Sequence, residues 1–462
     1  MPSTDILYTS SLYFYVVIKL LPVEIVYPMP PIENRTCQIN TYGSIFKFKP
    51  FFPIVFFCLI IGFSTCKTGK LNQNVAYRYS GKSALPTVKL KAHHIGNDSM
   101  RIYMGLNTSE ISFDPQNMAY FSVMLRLYHN INGKTTQLAD SVVFLRAATY
   151  NTLPTTTFDY TLYVPPQHEY LLHAYLVEDG TKKGYKGQMG LWRKKPYNQQ
   201  DEQNYLLKNA QTDEVIYDNI VKKDNPVRIY YRNKTYAHFT VQYYPPAKGM
   251  ALPPYSDNKE NHLPTTPDST FTTSAYLSPN REGIYYIQAD TNTLAGITLL
   301  CVDNSFPKIT TAADLIESLR YITRNEEYRD MLRAENPKAS VDNFWLTRAG
   351  SPDRGRVLIK EYYSRVQRAN EFFTTFQEGW KTDRGIIYIV YGQPEAVYLL
   401  PNAETWVYYP KGNQPKLQFD FIRQDLPFTN QHYHLIRDIN YEPSWQNAVY
   451  EWRNGIITNT TQ

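Results

Sequence analysis

The residues best suited to proton transfer or metal binding are His432 and His434, two positions apart near the C-terminus. In a strand such a pair points to one face. With Asp383 or Asp438 it would form a metal site or a proton relay, the core of a hydrolase. Without a third placed ligand, the plainer reading is an exposed strand face. His93-His94 is a weaker pair in a polar stretch. The second candidate is the run Gly379-Trp380-Lys381-Thr382-Asp383-Arg384-Gly385. Its residue types fit a corner from helix to strand. Gly379 takes a positive φ that ends a helix, and Trp380 buries its ring on that helix. Thr382 and Asp383 bond nearby backbone N–H groups. Arg384 pairs with Asp383 or reaches a carboxylate on a sheet, and Gly385 opens a strand. The sequence holds no nucleophile elbow, no HExxH and no P-loop. Gly184, Gly187 and Gly190 lack the strand–loop–helix setting of a phosphate cradle and read as a loop. The expectation is therefore no catalytic residue, no metal and no cofactor.

These residues sit in a chain of 462 residues, enough for two to four domains. Hydrophobic residues make up 43%, which excludes disorder throughout. The count of 48 Lys+Arg against 42 Asp+Glu gives +6 without a basic block, so nucleic acid is not an expected partner. Forty tyrosines favour strands and wet contact surfaces.

The cysteines report an address. Phe51–Phe63 is almost wholly apolar but too short for a spanning helix, which needs about 20 residues. Lys47 and Lys49 precede it, as in the core of a secretory signal. Ser64-Thr65-Cys66 follows, and small residues before a cysteine at that place resemble a bacterial lipoprotein signal. That resemblance implies a lipidated Cys66 at the start of the mature chain; an ordinary signal or an uncleaved anchor is the bland alternative. Cys37 and Cys58 then leave with the signal, and Cys301 remains alone, so neither a disulfide nor a Cys metal cluster is expected. Residues 1–44 read as a start assigned too early, with a second membrane segment as the alternative.

Residues 66–96 read as the lipidated cysteine and a polar tether, with the first strand near its end. From 97 to 195, short alternating runs separated by turn residues predict a β-sandwich-like domain: Ala119–Tyr128, Ser141–Leu145, Phe158–Val164 and Tyr170–Glu178. Residues 196–310 predict a second β domain, with a long mobile Pro-rich loop over Pro245–Pro267. From 311 to 462 the period becomes helical. Thr311 caps one helix and Asn325 another, ending at Asn336-Pro337; Asp342–Thr347 forms a short helical piece. Ser351-Pro352-Asp353 starts a long helix that stops at Gly379. Its stripe is Leu358, Tyr362, Val366, Ala369, Phe373 and Phe376, with Arg354, Lys360, Arg365 and Arg368 elsewhere. Strands then follow at Ile386–Tyr391, Ala396–Leu399, Thr405–Tyr409, Lys416–Ile422 and His432–Ile436, as an antiparallel meander. Trp445–Trp452 closes the chain as an amphipathic helix.

Several blocks together resemble the GWxTD domain found in many Bacteroidota lipoproteins. They are Phe344-Trp345, Glu361–Val366, Ala369–Phe373, the run from Gly379 to Tyr398 and Glu404–Tyr409. The resemblance spans about Phe344 to Asn454. Arg348-Ala349-Gly350 stands where many members carry Arg-Asp-Pro. The family brings no biochemical activity to carry over. Lys67-Thr68-Gly69-Lys70 lacks the acidic residues common soon after the lipidated cysteine of surface-exposed Bacteroidota lipoproteins, and that resemblance implies a periplasm-facing protein.

The fold class expected is multidomain: two all-β, sandwich-like domains, then an α+β domain with helices packed on an antiparallel meander. The function expected is a non-catalytic structural or interaction component of the envelope. It would be lipid-anchored in the outer membrane, with envelope proteins as partners. The alternatives are a glycan-binding module and a hydrolase with a site near Asp383 and His432/His434.

Overall fold

The computed structural model describes residues 15–20, 23–28 and most of 74–457. Outside the described set lie 1–14, 21–22, 29–73, 81–87, 97–98, 108–120, 132–133, 146–154, 164–168, 179–183, 193–200, 233–237, 258–265, 401, 410–415, 425, 427, 430 and 458–462. Cys66 and the apolar core before it fall outside. The chain divides into two units, Met1–Gly69 and Lys70–Gln462. In the first, β1 (Tyr15–Leu20) and β2 (Val23–Pro28) pair as an antiparallel hairpin. Among the described residues, no helix is long and apolar enough to cross a membrane.

The second unit is β-rich and builds several sheets plus helices. Its first strands are β3 (Val88–His94), β4 (Ser99–Asn107), β5 (Phe121–Ile131), β6 (Lys134–Leu145), β7 (Thr155–Tyr163), β8 (Glu169–Glu178) and β9 (Gly184–Trp192). They form two antiparallel sheets, ordered β3-β4-β7 and β6-β5-β8-β9. The glycine cluster expected as a loop is therefore a strand. The ladder of β8 supplies hydrogen-bond partners from Val177 to Glu169, and this overrides the weak strand preference of Gly184, Gly187 and Gly190. His93 and His94 are also not tether residues: both are buried on β3.

Eight further strands follow: β10 (Tyr205–Asn209), β11 (Ile220–Lys222), β12 (Val227–Tyr231), β13 (Phe239–Tyr244), β14 (Ser269–Thr273), β15 (Tyr276–Leu277), β16 (Gly283–Gln288) and β17 (Ile297–Val302). Their sheets, β10-β12-β15 and β11-β17-β16-β13-β14, share one core that includes Tyr205, Leu207, Ile229, Phe239, Val241, Ile287 and Leu299. Cys301 is a free thiol in that core, and burial pushes it up to about 11. The loop expected to be mobile over Pro245–Pro267 is held where it is described. Ala251 N–H donates to the Lys381 carbonyl (2.8 Å), and the Pro254 carbonyl accepts from Asp438 N–H (3.2 Å).

The C-terminal helices are α1 (Ala312–Ser318), α2 (Asn325–Arg333), α3 (Pro337–Ala349), α4 (Pro352–Phe373) and α5 (Asp383–Tyr391). Side chains of Thr311, Asn336 and Ser351 cap α1, α3 and α4. Asn336-Pro337 thus starts a helix instead of ending one, and Arg324, not Asn325, is the cap position of α2. Gly350 ends α3 with φ 72°, a left-handed cap that favours glycine. Arg365 lies on the buried side of α4, not the polar one. It bonds Glu361 (2.8 Å) and the Ile389 carbonyl (3.3 Å), over the Trp452 ring.

Two expectations fail together at the corner. The long helix ends at Phe373, not Gly379, and Ile386–Tyr391 is helix, not strand. All nine residues of α5 are buried, so its sequence shows no polar stripe from which a helical period can be read. The strands β18 (Ala396–Leu400), β19 (Ala403–Tyr408), β20 (Leu417–Arg423) and β21 (Tyr433–Leu435) form the expected meander. The closing helix α6 (Glu442–Arg453) buries Trp445 and Trp452. Trp345, Tyr362 and Trp452 meet ring to ring in the core beside α4.

Candidate functional site

The run from Gly379 to Gly385 is a helix-to-helix corner between α4 and α5. Thr374, just past α4, accepts the Gly379 N–H on its hydroxyl (2.8 Å). Gly379 does not have a positive φ. It is glycine because a Cβ would run into the carbonyl of Ala369, and a Cβ on Gly385 would strike the carbonyl of Gly379. The corner is thus two backbones in direct contact. Asn370, buried on α4, accepts the Trp380 N–H (3.2 Å) and donates to the Pro307 carbonyl (3.0 Å). Trp380 is buried as expected, edge-on to Tyr321.

The side chains of Thr382, Asp383 and Arg384 each have internal partners. Thr382 caps α5: its hydroxyl accepts from Gly385 N–H (3.1 Å) and donates to the Gly379 carbonyl (2.7 Å). Asp383 opens α5 but reaches across to β21. One oxygen accepts from Leu435 N–H (2.8 Å), and the other meets the Arg437 guanidinium (2.6 Å). Arg384 takes the second option open to it, a carboxylate on the sheet. It pairs with Glu404 of β19 (3.1 Å), donates to the Gln431 carbonyl (2.6 Å) and stacks on Tyr433. Glu404 in turn accepts from the Tyr79 hydroxyl (2.5 Å). Burial, and then the Glu404 charge, hold that phenol well above its ordinary range, so it stays a donor.

The histidine pair is not an exposed strand face. His432 is buried and His434 half-buried, with ring centroids 5.0 Å apart. His432 packs on Phe376, and its Nδ1 lies 3.4 Å from the Thr375 hydroxyl. Both candidate carboxylates hold partners elsewhere. Asp383 is committed as above, and Asp438 accepts the Asn440 N–H (2.8 Å) at the start of a 3-10 turn. Among the described residues no three His, Cys, Asp or Glu are grouped to hold a metal ion.

Tyr79 and Arg437 were not singled out from the sequence. Tyr79 lies in a polar stretch some 300 residues from its partners. Glu404 had a readable signal, a lone carboxylate entering an apolar strand.

Residues 283–454 match the model of the GWxTD domain. The chain carries a GWxTD domain. The match begins at Gly283, well upstream of Phe344, so β16 and β17 of the five-stranded sheet fall within the matched stretch. No curated protein matches the chain. Among solved structures, a glycosyl hydrolase family 2 member from Bacteroides cellulosilyticus is similar at 11% identity and TM-score 0.17. The likeness covers 25% of this chain and 16% of that one. An alpha-2-macroglobulin of Salmonella is similar at 12% identity and TM-score 0.17, over 46% of this chain and 16% of that one. The chain therefore matches about a sixth of the length of each, and at such scores neither speaks to fold or function.

Proposed function

We propose that this protein is a lipoprotein of the Bacteroidota type, anchored through Cys66 in the outer membrane and facing the periplasm. In this reading a sandwich-like β domain and a second β domain, whose last strands fall within the GWxTD match, lead into the helical part, and the GWxTD domain serves a non-catalytic structural or interaction role with envelope proteins. One observation carries the non-catalytic part: Thr382, Asp383 and Arg384 are all committed to internal bonds. All three side chains are also buried, so none of them is presented to a substrate in solvent. The signal-like segment ending at Cys66 supports the address. Glycan binding is the lesser reading, because stacking needs open ring faces. On β12 and β15 the rings of Tyr230 and Tyr276 both have the Arg228 guanidinium over them, at 5.0 Å and 5.6 Å.

Fractionation of a Cys66→Ser variant tests the anchor. The variant is expected to leave the membrane fraction or to accumulate unprocessed. A variant that stays lipidated and membrane-bound overturns the assignment. Protease added to intact cells is expected to leave the protein whole, and digestion would place it on the outer face.

A further inference from the structure

Residues 74–79 lie far outside the stretch matched by the family model, yet they contact that stretch as a bound peptide would. β18 is an edge strand of its sheet, so one side of its backbone faces away from any neighbouring strand of that sheet. Val75 N–H donates to the Val397 carbonyl (2.9 Å). The Asn74 side chain accepts from Val397 N–H (2.9 Å) and donates to the Glu395 carbonyl (2.9 Å). The Tyr79 carbonyl accepts from the Tyr388 hydroxyl (2.9 Å). Tyr79 itself is the anchor. Its ring packs against Phe372, Phe373 and Trp406, with centroids 5.1 to 5.7 Å away, and its hydroxyl ends on Glu404. Ala76–Tyr79 is a 3-10 turn, so the segment meets the sheet edge through one main-chain bond, the Asn74 side chain and one anchored ring, a short form of the way edge sites read peptides by backbone and pocket together.

We propose that the GWxTD domain contains a peptide-binding groove, made of the β18 edge and the Phe373–Trp406–Glu404 pocket. Residues 74–79 fill it in cis as a clamp. The groove selects for an asparagine that pairs with the edge and a tyrosine five residues later. The charge on Glu404 is already balanced by Arg384, so the pocket takes a neutral phenol donor and rejects a phosphorylated one. The consequence for location rests on the anchor reading. From Cys66 to Asn74 an extended chain reaches at most about 29 Å, so the clamp keeps the GWxTD domain close to the membrane.

The test cuts the clamp from the body in the full chain. A specific protease site is inserted between Lys82 and Ser83, and the purified protein is cleaved. The N-terminal fragment is expected to co-elute with the body after cleavage. An excess of a synthetic peptide of residues 73–80 should displace it. Tyr79→Ala should weaken retention at least 100-fold, and Tyr79→Phe, which keeps the ring, about 10-fold. Immediate release of the wild-type fragment from a body that stays folded overturns the proposal. So does a body that unfolds on cutting, which would make the segment an integral core element and not a ligand. On membranes, cleaved wild-type body should stay bound and cleaved Tyr79→Ala body should be released. Uncut Cys66→Ser in the same fractionation separates a failed anchor from a failed clamp.

Discussion

Trp380 and Asp383 stabilise the corner by different means, and the difference is measurable. Trp380 contributes through burial, and Trp380→Ala should cost about 3–5 kcal/mol, the range for a large buried aromatic. Asp383 holds a backbone N–H and a guanidinium at once, with little solvent near either. Asp383→Asn should therefore cost about 1.5–3 kcal/mol, more than a simple helix cap, because both bonds lose their charge. Urea denaturation of the two variants checks the order. An Asp383→Asn protein with unchanged melting that no longer captures its partner would overturn the structural reading. Gly379→Ala should cost about 3 kcal/mol by overpacking, since the obstacle is a backbone carbonyl that cannot swing aside. The residue types of the corner were legible in the sequence, and so was the burial of Trp380. The reason for its glycines was not. A close approach between two backbones depends on how α4 and α5 pack, and no local pattern encodes that.

At the scale of elements, Glu327 joins three helices. Its carboxylate accepts from Arg324 N–H at the start of α2 (2.9 Å), from Arg348 of α3 (2.8 Å) and from Arg453 of α6 (2.7 and 2.8 Å). These bonds, that from Arg453 foremost, pull the carboxyl from 4.5 to about 2 against the opposing effect of burial. The folded value lies below the unfolded one. The stabilisation is thus complete above pH 4.5 and is lost as pH falls from there to about 2. Because the side chain is partly exposed, Glu327→Gln should cost only about 1 kcal/mol near neutral pH, and nothing below pH 2. Melting curves from pH 7 to 2 on both proteins check this. His93, lowered by burial from 6.5 to about 4, imposes its own loss as pH falls through that window. Both proteins share it, so the difference between them isolates Glu327. A constant offset at every pH would sink the argument. Helices with a polar face and a cap, such as α4, could be read from the sequence almost to the residue at the start. The wholly buried α5 could not, because its β-branched and aromatic run satisfies a strand pattern equally well.

At the scale of the whole molecule, the GWxTD stretch does not stand apart from the β sheets before it. Its match begins inside the five-stranded sheet, at β16. The outer face of that sheet gives Tyr244, Ile284, Tyr286, Leu300 and Val302 to a cluster completed by Phe376 of the corner and Phe428 of the meander. Phe428 is its keystone, with its ring 4.8 Å from that of Tyr244 and 5.7 Å from that of Tyr286. The bonds from Ala251 to Lys381 and from Asp438 to Pro254 lie along the same junction. None of this was legible beforehand, since Phe428 sits in a short polar turn whose sequence gives no partner. A junction of this kind should make the two parts melt as one. Calorimetry of the wild type is expected to show a single transition over residues 205–457. Phe428→Ala removes the ring that both sides share, with a loss of about 3–5 kcal/mol at the junction. It should split the transition in two while each part keeps its own core. Two transitions already present in the wild type, or one merely shifted transition in the variant, would mean that the junction does not couple them.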